Sequence, residues 1–533
     1  MKMKKLLLLA TLGLFVLFPA AEACSSIAVG KGASASGAYL FARTEDHFSS
    51  AGKRLAVYPA GKYAKGEKLR STKSDYFYTM SHDSYKHTGV PRMTPAPDWQ
   101  DVHIAFGTNE YGLAVSATNT TFINKRAQTG GNSYLKRGID EDLITTALLS
   151  EAKTPGEAIE LLGRIVEKDG VGNNEGFVIF IGSAKELWIF ETFGRHRWLA
   201  SKVPDDKFII VANDMVTDYA DLSDRANFRG TADLKEFAVK HGFAVYGGAE
   251  EGVHAGDVNL AASYGENNTK YNTGRRWRGY NLFAPSKKIA MLGYGDSDKT
   301  YPMFVTPDRK ISAEAVMQFQ RDRYQGTSYD LSLAPRVTTL NPEGYDIKET
   351  LFYDGAASSA GGSDADRTKT LRPIGFNTQM HTHIVELLPE LPPEIGARMW
   401  IAMAQSEHSV NLPLYGLIAD TCKYDKTVSD KYVPDSSYWQ FQNVAYYCRY
   451  DRAKYGKAVQ YYWRAYELKL SEEQREVEAK MLALYKKDPA LARCYITAYV
   501  LDTREKAAER AREIRSALLE YIKNSPDGVF KID

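Results

Sequence analysis

FPAAEACSSIAVGKG, residues 18–32, places a cysteine directly behind the end of a secretion signal. Three lysines stand within residues 1–5, residues 6–18 are almost wholly apolar, and Ala21-Glu22-Ala23 supplies two small residues around one spacer. Charged, apolar and cleavage-site regions in this order are typical of a signal peptide, and the apolar run is too short to span a bilayer as a mature helix. We therefore expect cleavage between Ala23 and Cys24, and export of a periplasmic or extracellular chain that begins with Cys24.

Cys24 has two competing functional interpretations besides a chance occurrence. Lipid attachment would make the protein a surface-anchored binding protein, but such sites usually carry a large aliphatic residue three positions before the cysteine, and here that residue is Ala21. A free N-terminal cysteine instead combines a thiol of pKa about 8.5 with an α-amine of pKa about 7.7–8.0. Such an amine can accept the thiol proton near neutral pH, so the second interpretation predicts a nucleophile that carries its own base.

The composition is that of an ordinary globular protein. The 533 residues are 44% hydrophobic and 25% charged, with a net charge of +2 that falls to near zero once the signal is removed. The length allows one large core with additions. No basic face indicates nucleic acid as a partner, and nothing after the signal approaches a membrane span. Oligomeric state is left open, a homo-oligomer included.

The remaining cysteines are too few for a disulfide scaffold. Cys422, Cys448 and Cys494 are an odd number, and a bridge between Cys422 and Cys448 is one expectation. No His/Cys pair has the spacing of metal ligands, because His381 and His383 flank a single threonine with no third candidate nearby. We expect neither a metal nor another cofactor.

Strand-like segments dominate the first half of the chain. Two hairpins are predicted, residues 24–30 with 38–44 and residues 102–107 with 113–119, the second around a turn from Asn109 to Gly112. Helical spacing covers residues 140–169, interrupted where Thr154 can cap and Pro155 can open a second helix. Four more strands follow at residues 177–182, 186–193, 197–203 and 208–213. This order favours an α+β fold with antiparallel sheets and helices packed outside.

The later chain is more helical. Residues 311–324 have helical apolar spacing, and residues 471–523 are charged and helix-favouring. Residues 354–367 are poor in large apolar side chains and predict a flexible surface loop.

The first hairpin brings charged residues to the N-terminal cysteine. If its turn is centred near Ser34, residue i faces roughly residue 68 − i, which places Cys24 opposite Thr44. Arg43 and Asp46 then lie at the same end of the hairpin. A nearby arginine favours the thiolate, and a nearby carboxylate can orient the α-amine.

These features together resemble a known family. An N-terminal cysteine, VGKGAS followed by Gly37, and an R-x-x-D motif are similar to the N-terminal-nucleophile dipeptidases of the dipeptidase A type, which are related to bile-salt and penicillin V amidases. The resemblance continues in order over most of residues 24–420, through the segments GTNEYGLAVSATNT (107–120), ELWIFETFGRHRWLASKVPDDKFIIVAND (186–214), RDRYQGTSYDL (321–331) and LPLYG (412–416).

The resemblance implies roles for individual residues. Cys24 corresponds to the nucleophile, with Arg43 and Asp46 as its electrostatic partners. In the related amidases a residue near the oxyanion follows the turn asparagine by ten positions, which gives Asn119, and the VAND segment gives Asn213 as the other oxyanion-hole asparagine. A second arginine is expected in TGRRWRGY, residues 273–280. Arg276 is the choice, while Arg275 and Arg278 remain open because spacing alone does not fix the register.

The resemblance also implies a four-layer αββα core over residues 24–465, followed by a helical C-terminal extension at residues 466–533. The implied activity is hydrolysis of dipeptides, small peptide substrates, through a thioester on Cys24 without a cofactor. A bile-salt or penicillin-type amidase would use the same machinery on a different acyl group, and a lipid-anchored binding protein is the alternative outside enzymes.

Overall fold

The computed structural model describes residues 24–46, 52–91, 103–248, 254–296, 298–332, 371–429, 432–524 and 527–532. The expected signal at residues 1–23 and the expected loop at residues 354–367 lie outside the described residues.

Two antiparallel sheets form the centre of the protein. The six-stranded sheet has the order β12-β1-β2-β16-β17-β18, and the eight-stranded sheet has the order β13-β11-β10-β9-β8-β7-β6-β3. The strands are β1 (Ser26–Val29), β2 (Tyr39–Asp46), β3 (Ala56–Tyr58), β4 (Lys68–Arg70), β5 (Phe77–Thr79), β6 (His87–Pro91), β7 (Ile104–Asn109), β8 (Ala114–Thr121), β9 (Gly176–Ser183), β10 (Glu186–Thr192), β11 (Trp198–Lys202), β12 (Phe208–Val211), β13 (Phe228–Gly230), β14 (Val245–Tyr246), β15 (Val258–Asn259), β16 (Gln379–Leu387), β17 (Ala397–Met403) and β18 (Leu412–Tyr415).

Helices cover the outer faces of both sheets. Those in the described part of the chain are α1 (Glu141–Glu151), α2 (Pro155–Asp169), α3 (Leu234–Lys240), α4 (Leu260–Tyr264), α5 (Thr273–Phe283), α6 (Ala313–Gln320), α7 (Lys423–Lys426), α8 (Ser437–Tyr450), α9 (Lys457–Lys487) and α10 (Pro489–Asn524). Helices α1 and α2 pack against the eight-stranded sheet, while α5 and α6 pack against the six-stranded sheet. The predicted mixed α/β architecture with antiparallel sheets and a helical C-terminal region is confirmed.

Local sequence signals account for several element boundaries. The Thr154 side chain accepts a hydrogen bond from the backbone N–H of Glu157 at 3.2 Å, and Pro155 occupies the first turn of α2, as predicted. Asn109 accepts from the N–H groups of Tyr111 and Leu113 in the β7–β8 turn. Gly112 closes that turn with φ of 75°, a conformation that glycine adopts without a steric cost.

The two sheets pack face to face. The rings of Phe41 on β2 and Phe180 on β9 lie 5.9 Å apart between them. A polar contact also crosses the interface, where Ser116 Oγ of β8 lies 2.8 Å from His383 Nε2 of β16. The core between the sheets therefore contains buried polar side chains among the apolar ones.

The register of the first hairpin differs by one residue from the predicted one. Ser26 pairs with Arg43 and Val29 with Leu40, so residue i faces residue 69 − i. Thr44 consequently pairs with Ser25, donating its N–H to the Ser25 carbonyl at 2.9 Å, and not with Cys24. The prediction was wrong because it centred the turn on one residue, whereas the connection turns between Ser34 and Ala35.

The C-terminal helices are part of the same core. Residue 465 lies inside the continuous helix α9, so the expected division at 465/466 does not coincide with an element boundary. Glu467 of α9 forms an ion pair with Arg321 at 2.5 Å, and Arg504 of α10 is paired with Asp425. These buried contacts fasten the tail to the segments that precede it.

The cysteines contradict one further expectation. Cys422 and Cys448 are both free: the Cys422 thiol donates to the Asp425 carboxylate at 3.2 Å, and the Cys448 thiol to the Tyr455 carbonyl at 3.8 Å. The expected bridge is therefore wrong. Within the described ranges, none of the helices combines the length and the apolar character needed to cross a membrane.

Candidate active site

Strand order brings the chain around Cys24 together. Strand β1 lies between β2 and β12, and both neighbours run antiparallel to it. The C-terminal ends of β2 and β12 therefore flank the start of β1. Asp46 ends β2, Asn213 follows β12 by two residues, and Cys24 precedes β1 by two. Segments nearly 200 residues apart in sequence meet at this point.

Cys24 is buried and held by its backbone nitrogen. Its residue is 3% exposed, and its N–H donates to Asn213 Oδ1 at 3.0 Å. Cleavage after Ala23 would turn this nitrogen into the α-amine. The Asn213 side chain would then lie against the group that we expect to act as the base.

Arg43 shares a face with Cys24 because of the observed register. Directly paired residues of antiparallel strands project to the same side. With the 69 − i register, Arg43 and Cys24 project to the same side, and the Arg43 guanidinium contacts the thiol. The guanidinium also donates to the backbone carbonyls of Ala117 and, at 3.4 Å, of Ala105 in the facing sheet.

Burial and the carboxylates of Asp46 and Glu45 raise the pKa of the Cys24 thiol, whereas two specific contacts lower it. Burial is the largest influence and raises the pKa of Cys24 above its usual value, because a thiolate is poorly solvated there. The Arg43 cation and the backbone N–H of Asp46, which donates to the sulfur, both favour the thiolate and oppose this rise in pKa. The site thus supplies specific partners for a thiolate in a location that otherwise disfavours one.

Asp46 is paired with an arginine that the sequence analysis did not identify. Its carboxylate accepts a hydrogen bond from Arg372 Nη2 at 2.6 Å, while burial raises the pKa of Asp46. The two residues are 326 positions apart, and Arg372 is the second described residue after segment 333–370. No local pattern in the sequence marks Arg372, because the contact is created by the meeting of β2 with the chain that leads into β16.

The two predicted asparagines contact the residues at the start of β1. Asn119 of β8 donates from Nδ2 to Ser26 Oγ at 2.7 Å, and its Oδ1 has no hydrogen-bond partner among the described residues. Asn213 has φ of 64° and donates from Nδ2 to the Thr120 carbonyl at 3.2 Å. Asn119 therefore contacts Ser26, two residues after Cys24, and Asn213 contacts Cys24 itself.

Helix α5 decides which of the three candidate arginines reaches Cys24. Arg275 donates to the Cys24 carbonyl at 2.7 Å, to Ser25 Oγ at 3.0 Å and to Asn213 Oδ1 at 3.1 Å. Arg276 is instead paired with Asp214 at 3.0 Å, and Arg278 with Asp322 at 2.8 Å. Of the three arginines, Arg275 contacts Cys24, whereas Arg276, the choice from the sequence, contacts Asp214. Adjacent helical residues point about 100° apart, and the spacing of the arginines does not reveal which face meets β1.

A second polar network borders Arg43. Glu45 of β2 is paired with Lys53 at 2.7 Å and lies 3.4 Å from His381 Nδ1. His381 Nε2 is 3.1 Å from His383 Nδ1, and His383 stacks on Phe106 with ring centroids 3.7 Å apart. Burial is the main cause that lowers the pKa of both histidines well below its usual value, which favours their neutral forms. His381 and His383 thus belong to the packing between the sheets.

Comparison with known proteins identifies the class of protein. The model of peptidase family C69 matches residues 23–465, and the chain belongs to this family. It is therefore a peptidase of a cysteine peptidase family, and the resemblance to dipeptidases of the dipeptidase A type is confirmed.

Named relatives agree with this placement. The chain is 30% identical over 398 residues to a "Probable dipeptidase" from Salmonella dublin, covering 74% of this chain and 81% of the relative. It is 26% identical to a "Probable dipeptidase B" from Streptococcus pyogenes serotype M1, covering 98% and 97%. It is 27% identical to "Dipeptidase A" from Lactobacillus helveticus, covering 75% and 76%. The match to the Streptococcus relative extends through the C-terminal helices.

Proposed function

We propose that this protein is an exported dipeptidase in which Cys24, made N-terminal by removal of residues 1–23, is the nucleophile. One observation carries the proposal. The Cys24 nitrogen donates to Asn213 Oδ1 at 3.0 Å while the Arg43 guanidinium contacts the sulfur of the same residue. A residue held at both its nitrogen and its sulfur suits a nucleophile that supplies its own base. The names of the relatives support dipeptides as the substrates.

The proposed reaction proceeds through a thioester. The Cys24 sulfur attacks the carbonyl carbon of the peptide bond, and the thiol proton passes to the α-amine. As the tetrahedral intermediate collapses, the C–N bond breaks and the resulting ammonium returns the proton to the leaving amine. A water molecule, deprotonated by the same amine, then attacks the thioester and releases the first amino acid and the free thiol. The reaction needs no cofactor because nucleophile and base share one residue.

The surrounding residues receive complementary roles. Arg43 stabilises the thiolate, and Asp46 stabilises the protonated amine. Asn213 orients the amine through Oδ1 and offers Nδ2 to the oxyanion. Arg275, in place of Arg276, fixes the Cys24 carbonyl.

Asn119 is proposed as the second oxyanion donor. Rotating its side-chain amide by 180° keeps the contact with Ser26, whose hydroxyl then donates to Oδ1. After the rotation, Nδ2 occupies the position that Oδ1 held before, where no protein group accepts or donates a hydrogen bond among the described residues, so Nδ2 can donate to an oxyanion. Oxyanion stabilisation needs a preorganised donor of this kind.

The fold assignment belongs to the same proposal. Two antiparallel sheets with helices on both outer faces support a four-layer αββα N-terminal-nucleophile hydrolase core. In this proposal the C-terminal helices complete the core and are not a separate extension.

Two alternatives give different measurements. A bile-salt or penicillin-type amidase would hydrolyse acyl amides in preference to dipeptides. The names of the relatives, which are called dipeptidases, favour dipeptides as the substrates. A lipid-anchored binding protein would carry acyl chains on Cys24, and its intact mass would exceed that of the unmodified chain starting at Cys24.

The decisive test blocks the α-amine without removing the thiol. With an uncleavable Met-Lys placed before Cys24, the nitrogen becomes an amide that accepts no proton. We expect a folded protein with dipeptidase activity near background, whereas the chain beginning at Cys24 hydrolyses a dipeptide panel. Activity should return when the extension is removed cleanly.

Controls separate chemistry from folding. Circular dichroism of both forms should coincide, and mass spectrometry should verify each N-terminus. Full activity in the extended form would show that the amine is not the base. A secreted chain that begins at Ser25 or later would eliminate Cys24 as the nucleophile.

A further inference from the structure

The turn that follows β12 presents Asn213 to Cys24 in a conformation that other residues must maintain. Asn213 Oδ1 accepts a hydrogen bond from the Cys24 nitrogen at 3.0 Å, and the backbone of Asn213 has φ of 64°. A left-handed backbone costs free energy at a residue other than glycine, and it persists only where surrounding contacts impose it. The position of Oδ1 therefore depends on the groups that hold this turn.

Side chains accept the hydrogen bonds of three consecutive backbone N–H groups in the turn. Met215 donates to Asn267 Oδ1 at 3.1 Å. Val216 donates to Glu191 Oε1 at 2.8 Å, and Thr217 donates to Glu191 Oε2 at 3.1 Å. Buried N–H groups need acceptors of this kind because water does not reach them. One carboxylate thus satisfies two of the three N–H groups.

Glu191 reaches the turn from the other sheet. It lies on β10 of the eight-stranded sheet, whereas the turn continues β12 of the six-stranded sheet. Alternate residues of a strand project to opposite faces. Leu187 and Ile189 belong to the apolar cluster that contains residues of both sheets, while Trp188 and Phe190 belong to the cluster that includes α1 and α2. Glu191 therefore projects inward, between the two sheets.

Burial makes a carboxylate unfavourable at this position. The residue is 0% exposed, and no cation in the described part of the chain forms an ion pair with it. Burial, the largest influence, and the charge of Asp214 raise the pKa of Glu191 to about 7, whereas the hydrogen bonds from Val216 and Thr217 oppose this rise. A buried charge without a cation is costly. Packing alone therefore does not explain a glutamate here, and its favourable contacts are those with the turn.

We propose that Glu191 is a positioning residue that holds the turn after β12, so that Asn213 Oδ1 meets the nitrogen of Cys24. This rests on the proposed dipeptidase function and adds a residue of the facing sheet that acts through Asn213. The orientation of the proposed base is then determined by a contact between the two sheets.

Glu191→Gln is the variant that tests this role. Glutamine has the same shape as glutamate but places an NH2 group where one carboxylate oxygen was. In either orientation of the amide, the N–H of Val216 or of Thr217 faces another donor and loses its acceptor. An unsatisfied buried N–H is unfavourable, so the turn should shift. A displacement of about 1 Å in a catalytic group can lower the rate by about 100-fold.

Steady-state kinetics on alanyl-alanine with the mature protein measure the effect. Glu191→Gln should lower kcat by about 10- to 100-fold with KM little changed. In the Asn213→Gly background the same substitution should change kcat by no more than about twofold, because the side chain through which Glu191 acts is absent. Losses that multiply in the double variant would overturn the inference. An unchanged kcat in the single variant Glu191→Gln would also overturn it.

Glu151→Gln is the matched control. Glu151 likewise accepts hydrogen bonds from two consecutive backbone N–H groups, those of Ser81 and His82, in a turn that carries no candidate site residue. Its kcat should equal that of the wild type, and an equal loss in both variants would overturn the specific role of Glu191. Thermal denaturation accompanies the kinetics. If Glu191→Gln lowered only the folded fraction, with kcat per folded molecule unchanged, the role of Glu191 would be structural and the inference wrong.

A measurement without turnover separates this inference from the dipeptidase function. The pH profile of Cys24 alkylation by iodoacetamide is followed by mass spectrometry of the N-terminal peptide. Asn213 Oδ1 stabilises the protonated amine, and that cation favours the thiolate beside it. The midpoint of the profile should therefore rise in Glu191→Gln and in Asn213→Gly, with no further rise in the double variant.

The outcomes of the two measurements are distinct. A midpoint in Glu191→Gln equal to that of the wild type would overturn the positioning role. If the wild type hydrolysed no dipeptide while the midpoints shifted as expected, the dipeptidase function would be refuted and the positioning of Asn213 by Glu191 retained.

Discussion

At the residue scale, Cys24 combines two opposing influences. A buried thiol is normally inert, because burial raises its pKa and disfavours the nucleophilic thiolate. Here Arg43 and the Asp46 N–H oppose that effect at the sulfur, although the pKa of Cys24 remains raised, while Asn213 accepts a hydrogen bond from the Cys24 nitrogen. We infer that reactivity at this position depends on residues whose side chains or backbone groups point at one of these two atoms.

Asn213 is the residue at which this inference is most directly tested. Its φ of 64° is strained for alanine, so Asn213→Gly removes the side chain while keeping the backbone conformation. We expect kcat to fall by about 100- to 1,000-fold, the typical loss of one oxyanion donor, with KM little changed. Steady-state kinetics on a dipeptide measure both. A change confined to KM would make Asn213 a substrate-binding or structural residue.

At the element scale, the β1–β2 hairpin and α5 set the geometry of the site. A shift of one residue in the hairpin register would turn Arg43 away from the face that carries Cys24. On α5, the step of about 100° between Arg275 and Arg276 gives one of them to Cys24 and the other to Asp214. Two adjacent and chemically identical residues are thus expected to serve different purposes.

Substitution of the two arginines should separate these purposes. Arg276→Gln leaves the buried Asp214 without its cation and should lower the free energy of unfolding by roughly 3–5 kcal/mol. Arg275→Gln should instead lower kcat strongly, because it releases the Cys24 carbonyl and Asn213 Oδ1. Urea denaturation and kinetics on both variants provide the comparison. A catalytically dead but fully stable Arg276→Gln would return the catalytic assignment to Arg276.

At the scale of the whole molecule, the two sheets and the C-terminal helices share one core. The largest apolar cluster includes residues of β1, β2, β16 and β17 together with Trp463, Val500 and Leu518 from the last two helices. Ion pairs between Arg321 and Glu467 and between Arg504 and Asp425 join the tail to earlier segments. The helical C-terminus therefore contributes to the stability of the segments that carry the site.

Truncation after residue 465 should consequently prevent folding. It removes most of α9 and all of α10, in which Ile496, Val500, Ile514 and Leu518 are buried. Burial of four such side chains contributes on the order of 10 kcal/mol, comparable to the net stability of a domain. Circular dichroism and size-exclusion chromatography of residues 24–465 beside residues 24–533 test this. A folded, active short form would show that the tail is a dispensable extension.

Buried neutral histidines should make the protein sensitive to acid. Burial lowers the pKa of His87 to about 4, and His381 and His383 are shifted in the same direction. Because the folded-state pKa lies below the unfolded value of about 6.5, the unfolded chain binds protons that the folded protein excludes. Stability is thus fully present above pH 6.5 and is lost as the pH falls, by roughly 2 kcal/mol for His87 between pH 7 and pH 5.

His87→Phe isolates one part of this effect. The ring of His87 stacks on Tyr58 at 4.7 Å, and phenylalanine preserves that packing. Urea denaturation between pH 7 and pH 5 should show that the free energy of unfolding falls less steeply with pH in the variant. The slope should correspond to about one proton fewer taken up on unfolding. An unchanged slope would mean that His87 is not among the groups responsible.

The amino-acid sequence by itself predicted eight of the strands (β1, β2 and β7 to β12), the helices at residues 140–169 with their Thr154 cap, the Asn109–Gly112 turn and the family. These follow from periodicity, capping and turn chemistry, which act between neighbouring residues. It also placed Arg43, Asp46, Asn119 and Asn213 near Cys24, since hairpin pairing and family motifs constrain them.

Only the tertiary structure decided the rest. The 69 − i register, the choice of Arg275 over Arg276, the pairing of Asp46 with Arg372 and the union of the tail with the core depend on contacts between distant segments. Such contacts are selected by how whole faces of sheets and helices pack, and a helix of three nearby arginines presents each to a different neighbour. The spacing of residues along the chain does not indicate which neighbour each arginine meets, because that neighbour is determined only when the sheets and helices pack around Cys24.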